Sequence, residues 1–214
     1  MAVGPRVAVP ARRSQADRRA DSEQRLLRAT TILVSERGTE AMSLAEIATA
    51  AGCSRGLPVY LFGSKQGLLL ALVDDVMKRF RDEMLEPALA GKSGLAAVLA
   101  TIEAFLRPIE HPGPAARTFN ILVGEAIGPR REFAGPVNRL HRRVHAHFLE
   151  HIRDGMAAGE IRPDLDAEAT AWTLVAMLRG AGTLTLVDPD GLDVGAFIGT
   201  AIDHARRALV VEPT

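Results

Sequence analysis

The chain lacks most of what would mark a small secreted protein or an enzyme. It has one cysteine, Cys53, in 214 residues, which excludes an internal disulfide and any multi-cysteine zinc site. Aromatic residues make up 4% of it, and strand-length runs of Val, Ile and Thr are nearly missing while alanine and leucine abound, so the reading is all-α. No apolar run approaches the length needed to span a bilayer. The arginine-bearing N-terminus has no continuous apolar stretch of the kind a secretory signal carries. There are no paired carboxylates, no Ser-His-Asp order and no phosphate loop, so neither an enzyme nor a cofactor is expected. The expectation is a soluble, cytoplasmic protein of one or two compact domains. Net charge is also lacking, but only in the sum. Residues 1–65 carry ten Lys and Arg against six Asp and Glu, a net +4, and the remainder carries −4. A basic front on a mildly acidic body suits a polyanionic partner, although a solvated charged face has the same signature.

What is present is a densely signposted stretch, Ser43 to Lys65. Ser43 with Glu46 three residues later makes a capping box, and Leu44, Ile47, Ala48 and Ala51 follow at helical spacing. Gly52 is where the chain must turn, at a positive φ. Ser54 suits the N-cap of a second short helix over Arg55 to Leu61, in which Pro58 is the fourth helical residue and removes at most the first backbone bond. A short helix, a glycine turn and a second short helix make a helix-turn-helix, whose second helix commonly enters the DNA major groove. Residues 1–20 lack apolar periodicity and read as a flexible arm, whose Arg12, Arg13, Arg18 and Arg19 reach a phosphate or a minor groove or serve only as a solubilising tail. A first helix is expected from about Ser22 to Arg37, with Leu26, Ala29, Thr30, Leu33 and Val34 on one face and Gly38 past its end. A fourth helix is expected from Lys65, capped by Ser64, to about Glu86, ended by Pro87.

These residues carry a resemblance. The first helix with Gly38, then Ser43-Leu-Ala-Glu-Ile-Ala, Ala51-Gly-Cys-Ser-Arg-Gly, Tyr60-Leu-Phe-Gly-Ser-Lys65 and Leu68-Leu69 are similar to the DNA-binding domain of the TetR family of transcriptional regulators, over about residues 22–75. The resemblance implies a homodimer on a palindromic double-stranded DNA operator and a C-terminal all-α domain that binds a small molecule and dimerises. One departure matters: the family commonly has Tyr three residues before the Phe, where this chain has Val59, with Tyr60 one position later. The candidate DNA-contacting residues are Ser43, Ser54, Arg55, Gly56, Val59, Tyr60 and Lys65. Arg55 suits a guanine edge, Gly56 a close backbone approach, Tyr60 and the two serines phosphate, and Lys65 a phosphate at a helix N-terminus. The alternative for Val59 and Tyr60 is packing in the domain core.

Beyond residue 88 the apolar spacing gives five more helices, around 95–106, 119–127, 136–158, 167–187 and 194–210, with a three-proline loop over 108–114. The whole is a nine-helix, all-α chain: an arm over 1–20, a three-helix DNA-binding head with helix-turn-helix over 21–67, and a helical ligand-binding and dimerisation domain over 68–214. Phe105, Phe119, Leu122, Phe148 and Trp172, with Met156 and Met177, line a ligand pocket or form ordinary core. His141, His145, His147 and His151 all fall on or beside the apolar stripe of the seventh helix, in two pairs spaced i, i+4. They read as core histidines, as polar groups of a pocket (His147 and His151 foremost), or as metal ligands of a helical-bundle metalloenzyme. No His-Glu-x-x-His pattern accompanies them, and no metal is expected. The eighth and ninth helices, with Ala171, Val175, Leu178 and Ala181, and Phe197, Ile198, Ile202 and Ala205, are the expected dimer bundle or are buried within one subunit. The small-molecule effector is expected to be apolar, because the helices around residues 95–127 and 167–187 carry few charges. No membrane partner is expected.

Overall fold

A computed structural model of the chain describes residues 14–128, 130–188 and 191–210. Among these residues the secondary structure is helical throughout, without strands. The helices are α1 (Gln15–Arg37), α2 (Leu44–Ala50), α3 (Leu57–Phe62), α4 (Lys65–Phe80), α5 (Gly94–Glu110), α6 (Pro114–Ile127), α7 (Ala134–Ala157), α8 (Ala167–Val187) and α9 (Val194–Leu209). A π-helical turn, Arg81–Leu85, prolongs α4 into the short segment Glu86–Leu89, and a 3₁₀ turn, Arg131–Phe133, leads into α7.

Several boundaries differ from the sequence expectation, each for a local reason. α1 starts at Gln15 rather than near Ser22, because Ser14 and Asp17 form a capping box. The expected arm therefore gives up residues 15–20 to a helix, and the rest of it, 1–13, lies outside the described residues. Pro87 does not end the fourth helix. The Glu86 N–H bonds back to Arg81 across the π turn, and Pro87 stands in the first turn of a new segment, where its missing N–H costs nothing. Pro108 lies inside α5 rather than in a loop, close enough to the end to forfeit one backbone bond. α8 corrects the expectation about bilayer-length runs: Ala167–Val187 is long and apolar enough by length and composition to cross a membrane. One side of it packs in the protein through Ala171, Leu174, Val175, Leu178 and Ala181.

Two buried clusters organise the chain. The first joins α1, α2 and α4 to α6 and to Phe133, Val137 and Leu140 at the entry to α7. The second joins α5, α7, α8 and α9. Val144 of α7 packs against both. The head is thus tied to α6 by shared core. Polar bonds reinforce that junction: Thr118 Oγ1 donates to the Thr31 carbonyl at 2.7 Å, and Arg79 of α4 donates to Thr31 Oγ1 at 3.1 Å. Thr39 Oγ1 donates to the Glu125 carboxylate at 2.6 Å, and Arg130 forms an ion pair with Glu40.

Candidate functional site

The helix-turn-helix is built largely from its own caps. Ser43 Oγ accepts from the Glu46 N–H at 3.2 Å while the Ser43 N–H donates to the Glu46 carboxylate at 2.8 Å. The Ser43 backbone and hydroxyl, then the charges of Arg37 and Lys65, hold the Glu46 carboxyl below the usual carboxylate range. Gly52 takes the turn at φ 62°, and Arg25 of α1 donates to the Ala51 and Gly52 carbonyls at 3.3 and 3.4 Å, fixing the turn against α1. Ser54 is not the N-cap of α3. Its carbonyl receives the Leu57 N–H at 3.0 Å in a tight turn, and Gly56 occupies the cap position. α3 therefore starts two residues later than expected, and Pro58 falls in its first turn, where no backbone bond is lost. Gly67 in the first turn of α4 is required by packing: a β-carbon there would collide with the Phe62 carbonyl.

This placement decides where the head's side chains go. Pro58 is buried, and Val59 and Tyr60 stand out at 51% and 72% exposure, so neither packs in the core. Arg55 and Gly56 are exposed beside them. The Arg19 guanidinium of α1 lies 5.7 Å from the centre of the Tyr60 ring, bringing the early turns of α1 next to α3. Lys65 Nζ donates to the Glu40 carbonyl at 3.0 Å, and Ser64 caps α4 by accepting from the Gly67 N–H. Arg55, Val59, Tyr60 and Arg19 thus form one exposed surface on and beside α3. Arg19, expected on a flexible arm reaching for phosphate or the minor groove, instead stands on α1, which begins before it.

The second feature is a cavity of about 330 Å³ at the seam of the two cores. α4 contributes Val76, Met77 and Phe80, α5 Phe105 and Ile109, α6 Phe119 and Asn120, α7 Leu140, His141 and Val144, and α8 Val175, Leu178 and Arg179. A second hollow of about 420 Å³ adjoins it across the Phe80–Phe105 pair, whose rings are 4.3 Å apart, and is bordered by His147. Of the residues expected to line a pocket, Phe105 and Phe119 line the first cavity and His147 the second. The others lie elsewhere. Leu122 is fully buried in the first core and Phe148 in the second. His151 meets His147 edge to face at 4.6 Å, and Trp172 is 39% exposed, stacked on His145 at 4.2 Å. Among the described residues no group of three or more His, Cys, Asp or Glu is arranged to hold a metal ion.

The residue that sequence reading passed over here is Arg179; His141, one of the four histidines read as core or pocket groups, stands on the wall beside it. The Arg179 guanidinium lies 4.4 Å over the Phe119 ring, and its Nη1 is shut off from solvent with no hydrogen-bond partner. Burial pushes the Arg179 pKa down to about 10, which leaves the group charged at neutral pH. His141 Nε2 is also buried without a partner, and burial, with the Arg179 charge adding to it, lowers the His141 pKa, so the ring is neutral at neutral pH. The available signal was spacing: Arg179 falls four residues after Val175 and next to Leu178, on the buried side of α8.

α8 also has a free side. Ala171, Val175, Leu178 and Ala181, with Ile198 and Ala205 of α9, are buried within the subunit and are not its outer surface. The outer face of α8 is Trp172, Ala176, Gly180, Thr183, Leu184 and Val187, all exposed and mostly apolar or small. On α9 the exposed side is Ala196, Gly199, Thr200, Asp203 and Arg207.

Comparison with known proteins matches both halves of this arrangement. Residues 26–72 match the model for bacterial regulatory proteins of the tetR family, and residues 94–210 match that for the C-terminal part of BetI-type transcriptional repressors. The HTH-type transcriptional regulator BetI 2 of Chromohalobacter salexigens is 29% identical over 173 residues, covering 79% of this chain and 80% of that protein. A TetR transcription regulator from Haloarcula marismortui has a similar fold, with a TM-score of 0.78 at 21% identity, over 90% of this chain and 100% of that one. So does a transcriptional regulator from Saccharomonospora viridis, solved in complex with choline, with a TM-score of 0.73 at 21% identity over 90% and 100% of the two chains.

Proposed function

The chain belongs to the TetR family of DNA-binding transcriptional regulators, and from that premise we propose that it is a repressor released from a palindromic operator by a small-molecule effector. The observation that carries this reading is the surface on α3. Val59 and Tyr60 are exposed beside Arg55 on a helix whose other side is packed. An exposed apolar and aromatic pair flanked by arginines suits base edges and phosphates better than it suits water. Arg55 is the base-reading candidate, Tyr60 with Ser43 and Ser54 meets phosphate, Gly56 permits close approach, and Lys65 exchanges its Glu40 carbonyl for a phosphate at the start of α4.

In this reading, residues 21–67 are the head and 68–214 the body, and two copies pair through the exposed faces of α8 and α9. Their recognition helices then stand in successive major grooves, roughly 34–36 Å apart. The effector occupies the seam cavity, whose aromatic walls suit an apolar body; the choline complex of the Saccharomonospora viridis regulator is the precedent for a small ligand in this fold. Both α4 and α6 line the cavity on one side and join the head core on the other, so a ligand that prefers another α4–α6 spacing shifts the helix separation. Reversing a strongly biased equilibrium takes a differential affinity of order 10⁴. A regulator of this kind works in the cytoplasm, at the chromosome.

The test is binding of the full chain to DNA flanking its own gene across a salt series. Sequence-selective binding that weakens steeply with salt is expected. Absence of selective binding to any operator at low salt would overturn the reading.

A further inference from the structure

The seam cavity carries a charge that its wall does not balance. Around it, Phe80, Phe105, Phe119, Val144, Val175 and Leu178 make an apolar lining. Three arginines reach that lining, and two are neutralised. Arg79 pairs with the buried Asp75 at 2.8 Å, and Arg107 pairs with Glu103. Arg179 has no carboxylate partner among the described residues, and its Nη1 has no hydrogen-bond acceptor of any kind. Glu83, the carboxylate of the wall, is exposed and forms no ion pair with it. His141 adds a second unpartnered nitrogen, Nε2, on the same wall.

A desolvated charge without a counter-charge is strongly unfavourable, and so is a buried polar nitrogen without a partner. Two such groups side by side on one cavity wall match a receptor whose missing half arrives with the ligand. The charge state narrows the class. One guanidinium beside one neutral imidazole offers a single positive charge, which a monoanion balances and a phosphate dianion oversupplies. The planar fork of arginine fits a carboxylate bidentately. A quaternary or primary ammonium is repelled there by the unbalanced Arg179 charge.

We propose that the cavity takes an amphipathic monocarboxylate, with its carboxylate on Arg179 and His141 Nε2 and its apolar body among Phe80, Phe105 and Phe119. This rests on the ligand-responsive reading above and deepens it, replacing the expected apolar effector by an apolar body with one anionic end.

The experiment uses the full chain and three carboxylates (octanoate, decanoate and 2-naphthoate), each beside the alcohol and the trimethylammonium analogue of the same body. Calorimetric titration should show at least one carboxylate binding about tenfold or more tightly than its alcohol, with the ammonium compounds weaker still. Arg179→Met should abolish that preference and raise the melting temperature of the free protein, because it removes an uncompensated charge and keeps the volume. Arg179→Lys should keep part of the preference. Equal or tighter binding of the alcohols or ammonium compounds, or binding by none of the three carboxylates, overturns the proposal. So does an Arg179→Met protein that melts earlier, misfolds or loses its dimer, since the guanidinium would then serve the fold or face the partner subunit across the depression formed with Thr183 and Leu184. A gel shift on the operator separates the two readings. An uncharged molecule that binds the cavity and releases DNA sinks this proposal alone, and a bound carboxylate that leaves DNA binding intact sinks the regulatory reading alone.

Discussion

The head and the seam cavity are built on opposite plans. In the head nearly every polar group near the chain turns is satisfied by a residue close by: Ser14 by Asp17, Ser43 by Glu46, and Ser64 by the Gly67 N–H. What it leaves unsatisfied is on the outside, in Val59, Tyr60 and Arg55. The cavity is put together from five helices distant in sequence, and what it leaves unsatisfied is on the inside, in Arg179 and His141. A surface for a large rigid partner can be presented by a short capped unit. A receptor for a small molecule needs walls from many elements and keeps its unpaired groups dry.

The largest expected effect tests whether the two plans share one folding unit. Phe133 belongs to the first core and Phe148 to the second, and both are fully buried. Each change to alanine should cost about 3–5 kcal/mol. Because Val144 packs on both cores, each variant should still unfold in a single transition, whether followed by near-ultraviolet or far-ultraviolet dichroism. A Phe148→Ala protein whose body melts first while the head persists would break the comparison into two independent domains.

Next in size is the outer surface of the head. Arg55→Ala should weaken operator binding by about 1–3 kcal/mol and relax base choice at one position if Arg55 reads guanine; an equal loss on every sequence makes it a phosphate contact. Tyr60→Ala should weaken DNA binding while changing the melting temperature little, because an exposed side chain contributes within about 0.5 kcal/mol to stability. A Tyr60→Ala protein as unstable as a core variant would mean that the ring serves the fold.

The joint between the regions is worth less but is diagnostic. Thr118→Val removes the 2.7 Å bond to the Thr31 carbonyl across α6 and α1. It should cost about 1 kcal/mol of stability. It should also reduce the ratio of operator affinities without and with a cavity ligand, leaving each separate affinity nearer its starting value. An unchanged ratio would place the coupling elsewhere, for instance at Arg130 with Glu40 and Glu125.

The two plans also differ in how much of them a sequence displays. Ser43 with Glu46 and the positive-φ Gly52 act within a few residues of themselves, so their roles can be read from spacing alone. Even there Ser54 misled, because a serine before a short apolar run suits a cap or a turn equally well and Pro58 settles the register in favour of the later start. Ala167–Val187 was legible to its end residues as a helix. Which of its sides faces inward was not, since alanine, glycine and threonine occur on both sides and the choice depends on where α5 and α7 lie. The same holds for the aromatics. Phe105 and Phe148 each precede a leucine on the apolar stripe of a helix, yet one lines a cavity and the other fills the core, because the helix packing leaves a gap beside only one of them.

The smallest expected effect separates the regions by pH. Burial lowers the pKa of His141, with the Arg179 charge adding to it, and burial lowers that of His147, with His151 adding and Glu150 opposing. Both rings therefore bind protons less readily folded than unfolded, where the ordinary value is 6.5. Below that value the unfolded chain holds more protons, so stability rises with pH through this window and falls as the solution is acidified from neutral. The head responds in a lower window. Glu46 and Glu40 are held below their ordinary 4.5 by Ser43 and Arg130 respectively, so their small, solvent-screened contributions are present above that value and are lost as pH falls through the lowered ones. From pH 7.5 to 5.5 the denaturation midpoint should drop more for the native chain than for His141→Gln/His147→Gln, while Glu46→Gln should lower stability by a small constant amount at neutral pH and change its pH slope only below about 4.5. Equal slopes for the native and double-glutamine proteins between 7.5 and 5.5 would mean that these rings accept protons freely in the folded state, and that the cavity wall is wetter than the unpartnered Nε2 of His141 implies.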